Sequence, residues 1–243
     1  MKPYIAIYST FMQRCIDMIQ HDAALQKLPV RFCMDRAGLS PDDGPTHHGL
    51  FDIAMIRSIP NIVFMQPKDE AEFVHMLRTM NHYQNGPTVI RYPRGCGAGT
   101  PVPAKAEILP IGKAEVLQTG RDVTLVSLGT MIGIARETAS LLEARGYTVT
   151  LINARFIKPL DDECIRRHAA RSRVVCTFED HSISGGFNSA VLESLETGDV
   201  KTPVEAIAWP DQFIEHGSES ILRKKYGLTA EAALQKIITH LNS

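Results

Sequence analysis

Short apolar runs rich in β-forming residues alternate, along almost the whole chain, with segments whose apolar residues recur every three or four positions. Few folds accept that pattern. Residues 4–8, 30–34, 62–65 and 88–91, and later 123–127, 148–152, 173–178 and 204–208, read as strands. Between them, Met12, Cys15, Ile16, Ile19 and Ala23 lie on one face of a helix, as do Phe73, Val74, Leu77 and Met80, and again Met131, Ile134, Ala135, Thr138 and Leu142. Shorter helices are expected at 50–57, 161–170 and 186–195, and a last one at 230–241. Strands that take turns with amphipathic helices build βαβ units, so the expectation is an α/β fold with mainly parallel sheets flanked by helices.

The alternation lapses from residue 95 to residue 120, where Gly-Cys-Gly-Ala-Gly-Thr-Pro-Val-Pro forms turns and offers little to a core. The reading is therefore two consecutive domains, 1–95 and 121–243, joined by a linker at 96–120. A chain of 243 residues is long enough for both cores. With 26 basic against 27 acidic residues and no basic run, the electrostatic footprint of a nucleic-acid binder is missing. Five scattered cysteines with no Cys-x-x-Cys spacing argue against a disulfide framework or a structural zinc. No apolar stretch approaches the roughly 20 residues that cross a bilayer, and the first residues lack a signal peptide's apolar core, so a cytoplasmic location is expected.

Functional chemistry concentrates after the second strand, in Asp35-Arg-Ala-Gly-Leu-Ser-Pro-Asp-Asp-Gly-Pro-Thr-His-His-Gly49. Glycine and proline fix the shape of such a loop while its carboxylates, guanidinium and imidazoles supply reactive groups. The plainer reading is a solvated turn in which Asp43 or Thr46 caps the next helix. Ligands of open parallel sheets gather beyond the carboxyl ends of the strands. Tyr8, Phe11, Arg36, Asp43, His47 and Arg94 all fall there. Two arginines suit a phosphorylated, anionic substrate, and imidazoles move protons near neutral pH. Against this, Arg91 and Arg94 read equally as surface ion pairs, and His47 and His48 as loop histidines bonded to carbonyls. No third ligand at a recognisable spacing supports a metal site. In the second half, the segment 179–187 leaves a strand and opens a helix, a place where an anion can sit, although it is not G-x-G-x-x-G. Trp209 reads as a packing or subunit-contact residue.

Several stretches together resemble a known family. Ala-Ile-Tyr8-Ser-Thr-Phe11-Met-Gln-Arg14, Asp35-Arg-Ala-Gly, Asp43-Gly-Pro-Thr-His-His-Gly49-Leu-Phe-Asp52, Arg91-Tyr-Pro-Arg-Gly95, Arg155-Phe-Ile-Lys-Pro-Leu160 and Trp209-Pro-Asp-Gln-Phe213 occur in family order. They resemble the C-terminal portion of the 1-deoxy-D-xylulose-5-phosphate synthases, thiamine-diphosphate enzymes of the transketolase family. The resemblance implies a pyrimidine-binding domain at 1–95, shortened at its N-terminal side, and a transketolase C-terminal domain at 121–243. It implies that Phe11 packs against the aminopyrimidine of thiamine diphosphate, that Tyr8, Arg36 and Arg94 hold the phosphorylated acceptor, and that Asp43 and His47 bond the substrates and move protons. Pyruvate would be decarboxylated and its remaining carbons joined to D-glyceraldehyde 3-phosphate, in isoprenoid precursor synthesis. The family's metal-binding N-terminal domain and its aminopyrimidine-bonding glutamate lie upstream of the matched region, and the first glutamate here is Glu70. The expectation is that the chain is inactive alone, that magnesium is bound by a part absent from it, and that it works as a homodimer or with an N-terminal synthase polypeptide supplied in trans. Two other readings stay open: a non-catalytic interaction or regulatory remnant, and the β-type chain of another thiamine enzyme such as a 2-oxoacid dehydrogenase.

Overall fold

A computed structural model describes residues 2–242. The expected spans 1–95 and 121–243 begin and end on residues outside that range. Among the described residues, ten strands form two five-stranded sheets. In the first, β1 (Tyr4–Tyr8), β2 (Arg31–Asp35), β4 (Thr88–Arg91) and β3 (Val63–Met65) lie side by side and parallel, in that spatial order. In the second, β10 (Val204–Trp209), β9 (Val174–Ser182), β6 (Val123–Ser127) and β7 (Val149–Asn153) do the same. Each sheet is closed by one antiparallel edge strand that shows no hydrophobic period in the sequence. β5 (Glu115–Gln118), within the stretch read as linker, pairs with β7, and β8 (Phe156–Lys158) leaves its neighbours in sequence to pair with β3 of the first sheet.

The exchange of β8 and the packing beneath it make the two halves share a core. Val126, Leu128, Ile152, Phe187 and Val191 from the second half pack with Met12, Phe32, Ile53 and Phe64 from the first, all buried. A second cluster, centred on Phe178 and Trp209, takes in Leu39 and Leu50 from the two ends of the 36–49 loop. That loop is therefore anchored in the opposite domain. Trp209 is fully buried there, a packing residue.

Helices follow the expected spans with local differences. The run after β1 is helical over 9–24 but changes pitch, ending in a wide π-type turn over Ile19–Ala24 where Ala23 and Ala24 are both buried. The helix Asp52–Arg57 begins without a side-chain cap, so neither Asp43 nor Thr46 plays that part. One helix, Glu219–Tyr226, was not expected, although its signals are present: Ser218 caps the Ile221 N–H, and Gly227 ends it at φ +75°. β1 lies at the edge of its sheet, with Tyr4 and Ile5 exposed on it and Leu25 70% exposed beside the turn that follows the helical run.

Candidate active site

The parallel registers bring the strand ends level. Tyr8 stands opposite Asp35, and Met34 opposite Arg91, so the loops after β1, β2 and β4 leave one edge together. The loop over 36–49 closes on itself: Gly38 and Gly49 exchange backbone hydrogen bonds at 2.9 and 2.8 Å, and the His47 N–H reaches the Gly44 carbonyl at 2.9 Å. Gly49 has no substitute in this position, because a Cβ would stand 2.5 Å from the Arg36 carbonyl oxygen and 2.6 Å from Ser9 Oγ. Arg36, at the start, holds a left-handed φ of +55°, a conformation a non-glycine residue keeps only where its surroundings enforce it.

All six expected site residues meet in one connected cluster. The Tyr8 and Phe11 rings stack at 5.3 Å, and His47 meets the Phe11 ring edge-on at 5.5 Å. The Arg36 guanidinium lies 3.8 Å over the Tyr8 ring, a cation–π contact, and pairs with Asp35 at 2.6 Å. Asp43 stands between the arginines, its Oδ2 3.0 Å from Arg94 Nη1 and 3.8 Å from Arg36 Nε. Arg94 also reaches Asp42 at 3.4 Å. Arg36 Nε is buried without a hydrogen-bond partner. Two guanidinium groups thus converge on one carboxylate oxygen. Phe11 keeps 39% of its surface open beside a cleft of about 440 Å³ lined by Arg14, Thr46, Phe51 and Phe213.

The two arginines of Arg91-Tyr-Pro-Arg94 part company. Arg94 is exposed and in the cluster, whereas Arg91, weighed in the sequence as a surface ion pair, is fully buried and paired to Asp52 at 2.9 Å. The adjacent histidines also differ. His48 is buried, its Nδ1 accepts the Ser40 N–H at 3.0 Å and its Nε2 faces the Glu215 carbonyl at 3.4 Å, which is the loop-tying role. His47 remains half-exposed, with Thr46 Oγ1 2.9 Å from its Nδ1.

A buried polar joint that has no signal in the sequence lies behind this cluster. Strand β9 runs four residues past its expected end, and Glu179, Asp180, His181 and Ser182 are all buried. Asp180 accepts the Trp209 indole N–H at 2.6 Å and the Leu39 N–H at 3.3 Å, tying the second sheet to the loop. The helix start at 186–188, where an external anion was conceivable, is filled from within: the Glu179 carboxylate accepts the N–H groups of Phe187 and Asn188 at 2.5 and 2.8 Å.

Burial outweighs those bonds and pushes the Glu179 carboxyl up to about 7. Burial likewise lowers His181 to about 4, a neutral ring whose Nδ1 donates to the Ser182 carbonyl at 2.6 Å and whose Nε2 accepts the Ala54 N–H. The two affect stability with opposite sign. Above the usual glutamate value of 4.5 the unfolded chain releases the Glu179 proton that the folded chain keeps to about 7, so this contribution falls as pH rises. Below the usual histidine value of 6.5 the unfolded chain takes up a proton that folded His181 refuses to about 4, so that contribution rises with pH. Where the windows overlap the slopes offset. Glu179→Gln should expose the histidine slope, making stability climb with pH more steeply than in the wild type by up to about 1.4 kcal/mol per pH unit. Urea midpoints near the two ends of the overlap check this, and identical pH dependence in both proteins would contradict it.

The pyrimidine-binding domain of transketolase matches residues 1–98, and the C-terminal domain of transketolase matches residues 112–232. The chain belongs to the transketolase family. Within that family it is 53% identical, over its full length, to a protein of Methylacidiphilum infernorum named 1-deoxy-D-xylulose-5-phosphate synthase, and covers 39% of that protein. It is 52% identical to the Acidobacterium capsulatum protein of the same name, matching over 99% of the chain and 38% of the relative. The chain thus spans less than two fifths of the length of these relatives. A solved structure described as a split-gene transketolase, an inactive β4 tetramer, superposes with a TM-score of 0.88 at 30% identity, covering 99% of this chain and 76% of that one. The two-sheet transketolase architecture is the one expected from the sequence.

Proposed function

We propose that this chain is the C-terminal part of a 1-deoxy-D-xylulose-5-phosphate synthase, a thiamine-diphosphate-dependent transferase that condenses pyruvate with D-glyceraldehyde 3-phosphate for isoprenoid precursor synthesis in the cytoplasm. The observation that carries the proposal is the cluster itself: an open aromatic face next to two arginines that converge on a single oxygen, in a chain about half identical to synthases over its whole length. Residues 1–95 are read as pyrimidine-binding, 96–120 as the connection, and 121–243 as the C-terminal domain, with β8 lent by the last to the first.

The residues present fit part of the cofactor. The exposed Phe11 ring, backed by Tyr8, offers a stacking face for the aminopyrimidine. Among the described residues no group of His, Cys, Asp or Glu is arranged to hold a metal ion, so magnesium and the diphosphate are assigned to a polypeptide segment outside these residues. When bound, thiamine diphosphate supplies the nucleophilic carbon and the electron sink for decarboxylation. The chain's own groups do the rest. Arg36 and Arg94 exchange the Asp43 carboxylate for the acceptor phosphate, Tyr8 keeps the Arg36 fork in place, and Asp43, released, bonds a substrate hydroxyl. His47, at the edge of Phe11, holds or delivers the proton at the acceptor carbonyl oxygen. The likeness to a split-gene transketolase supports completion by a separate N-terminal polypeptide, and the unpaired edge of β1 supports association through this domain, as a homodimer or with that polypeptide.

Exchanging one carboxylate for a phosphate makes each arginine a measurable contributor. Arg36→Ala or Arg94→Ala, in the completed enzyme, should raise the acceptor KM roughly tenfold to over a hundredfold, in line with about 1.5 to 3 kcal/mol per charge-assisted contact, and leave the pyruvate half-reaction nearly untouched. An unchanged acceptor KM in both variants would return the arginines to plain ion pairs with Asp35, Asp42 and Asp43.

A further inference from the structure

One buried side chain outside the cluster holds the site loop from behind. Arg91 ends β4 with its guanidinium out of water, and its fork meets four acceptors at once. Nε donates to Asp52 Oδ2 at 2.9 Å, Nη1 to Gln66 Oε1 at 2.5 Å, and Nη2 to the carbonyls of Gly49 and Asp180, both at 3.2 Å. These acceptors belong to four separate pieces of chain: the helix after the loop, the end of β3, the last residue of the loop, and β9 of the other sheet. A buried ion pair is a poor device for stability alone, because a well-packed apolar residue of like volume serves as well or better. What a rigid planar fork adds is geometry.

The geometry leads straight to the site. Gly49 is bonded both ways to Gly38 and packs so close to Arg36 that a Cβ on it would stand 2.5 Å from the Arg36 carbonyl oxygen, so a shift of Gly49 is felt where the Arg36 backbone is left-handed. Asp52, the other end of the clamp, accepts from Ser9 Oγ at 3.0 Å, and Ser9 opens the helical run that carries Phe11. One pair thereby touches the footing of both the aromatic face and the loop. We propose that Arg91 is a positioning residue which, by clamping Gly49 and Asp52 to Asp180 of the second sheet, sets the reach of Arg36, Asp43 and His47. The proposal rests on reading that loop as the acceptor site, and it gives the second domain a part in shaping a site to which it contributes no reacting group.

The test uses Arg91→Lys, which keeps the charge but cannot span four acceptors, and, in case that variant does not fold, Arg91→Met combined with Asp52→Asn, which buries no charge. The first measurement is amide hydrogen exchange on the purified chain, with no cofactor or partner. Exchange over residues 37–50 should accelerate about tenfold or more while the amides of β6 and β7 keep their protection. The second is steady-state turnover in the presence of an N-terminal synthase polypeptide. Acceptor KM should rise, and kcat fall, on the order of tenfold to a hundredfold, with pyruvate KM nearly constant. A merely structural role would reduce the folded fraction, scaling kcat and leaving both KM values alone. Unchanged loop exchange in a folded variant, or an unchanged acceptor KM, overturns the proposal. If wild-type mixtures do not turn over at all, the functional reading fails while the exchange data still decide whether Arg91 sets the loop.

Discussion

His47→Ala should lower kcat of the completed enzyme by roughly 10² to 10⁴ while leaving the fold almost as stable as before. The imidazole is half-exposed, with one hydroxyl 2.9 Å from its Nδ1 and one ring edge-on to it, so its removal empties no core. His48→Ala should do the reverse. Its buried ring takes the Ser40 N–H, and truncation leaves that donor unmatched at a cost of about 1 to 3 kcal/mol. Turnover and urea midpoints measured on both variants separate the roles. Stability lost at His47, with turnover spared, would make it the loop-tying residue and leave the site without a proton carrier.

Gly38→Ala should be strongly damaging. The residue has φ +85°, and a Cβ there would stand 2.0 Å from Asp180 Oδ2. Asp180 cannot yield, since it holds the Trp209 indole and the Leu39 N–H and lies 3.6 Å from Arg223. Backbone strain and a displaced buried carboxylate together should remove about 3 kcal/mol or more, a fall in Tm of roughly 6 to 12 °C for a chain of this size. Gly133→Ala is the control: it sits in the helix Ile132–Glu143 with nothing within 4 Å of a new Cβ, and should stabilise by about 0.5 to 1 kcal/mol. Equal behaviour of the two variants in a thermal melt would mean that the loop base and Asp180 are not rigidly joined.

These two sites show where the sequence speaks and where it is silent. Strands such as Thr88–Arg91 and Val123–Ser127, and the helix Ala230–Leu241, carry a complete period and match their expected bounds. Parallel strands end on a common edge, so the meeting of Tyr8, Arg36 and Arg94 follows from topology once the strands are assigned. β5, half of it polar, and β8, three residues long, show no apolar run that sets them apart in the sequence, and only tertiary pairing makes them strands. Glu179 to Ser182 read as a loop because they are polar, yet they are buried where each finds partners across the domain joint. Arg91 carried a clue that composition hides: it closes a strand whose other residues are all apolar or β-branched, and such a strand has both faces covered.

Under the proposed function, the N-terminal part of a synthase completes the site. The decisive measurement is turnover of pyruvate and D-glyceraldehyde 3-phosphate, with thiamine diphosphate and magnesium, by the purified 243 residues alone and after adding a polypeptide that carries the N-terminal part of a synthase, with cofactor binding followed by calorimetry in both. Tight binding and turnover are expected in the mixture only. Turnover by the 243 residues alone, or none in any mixture, would contradict it.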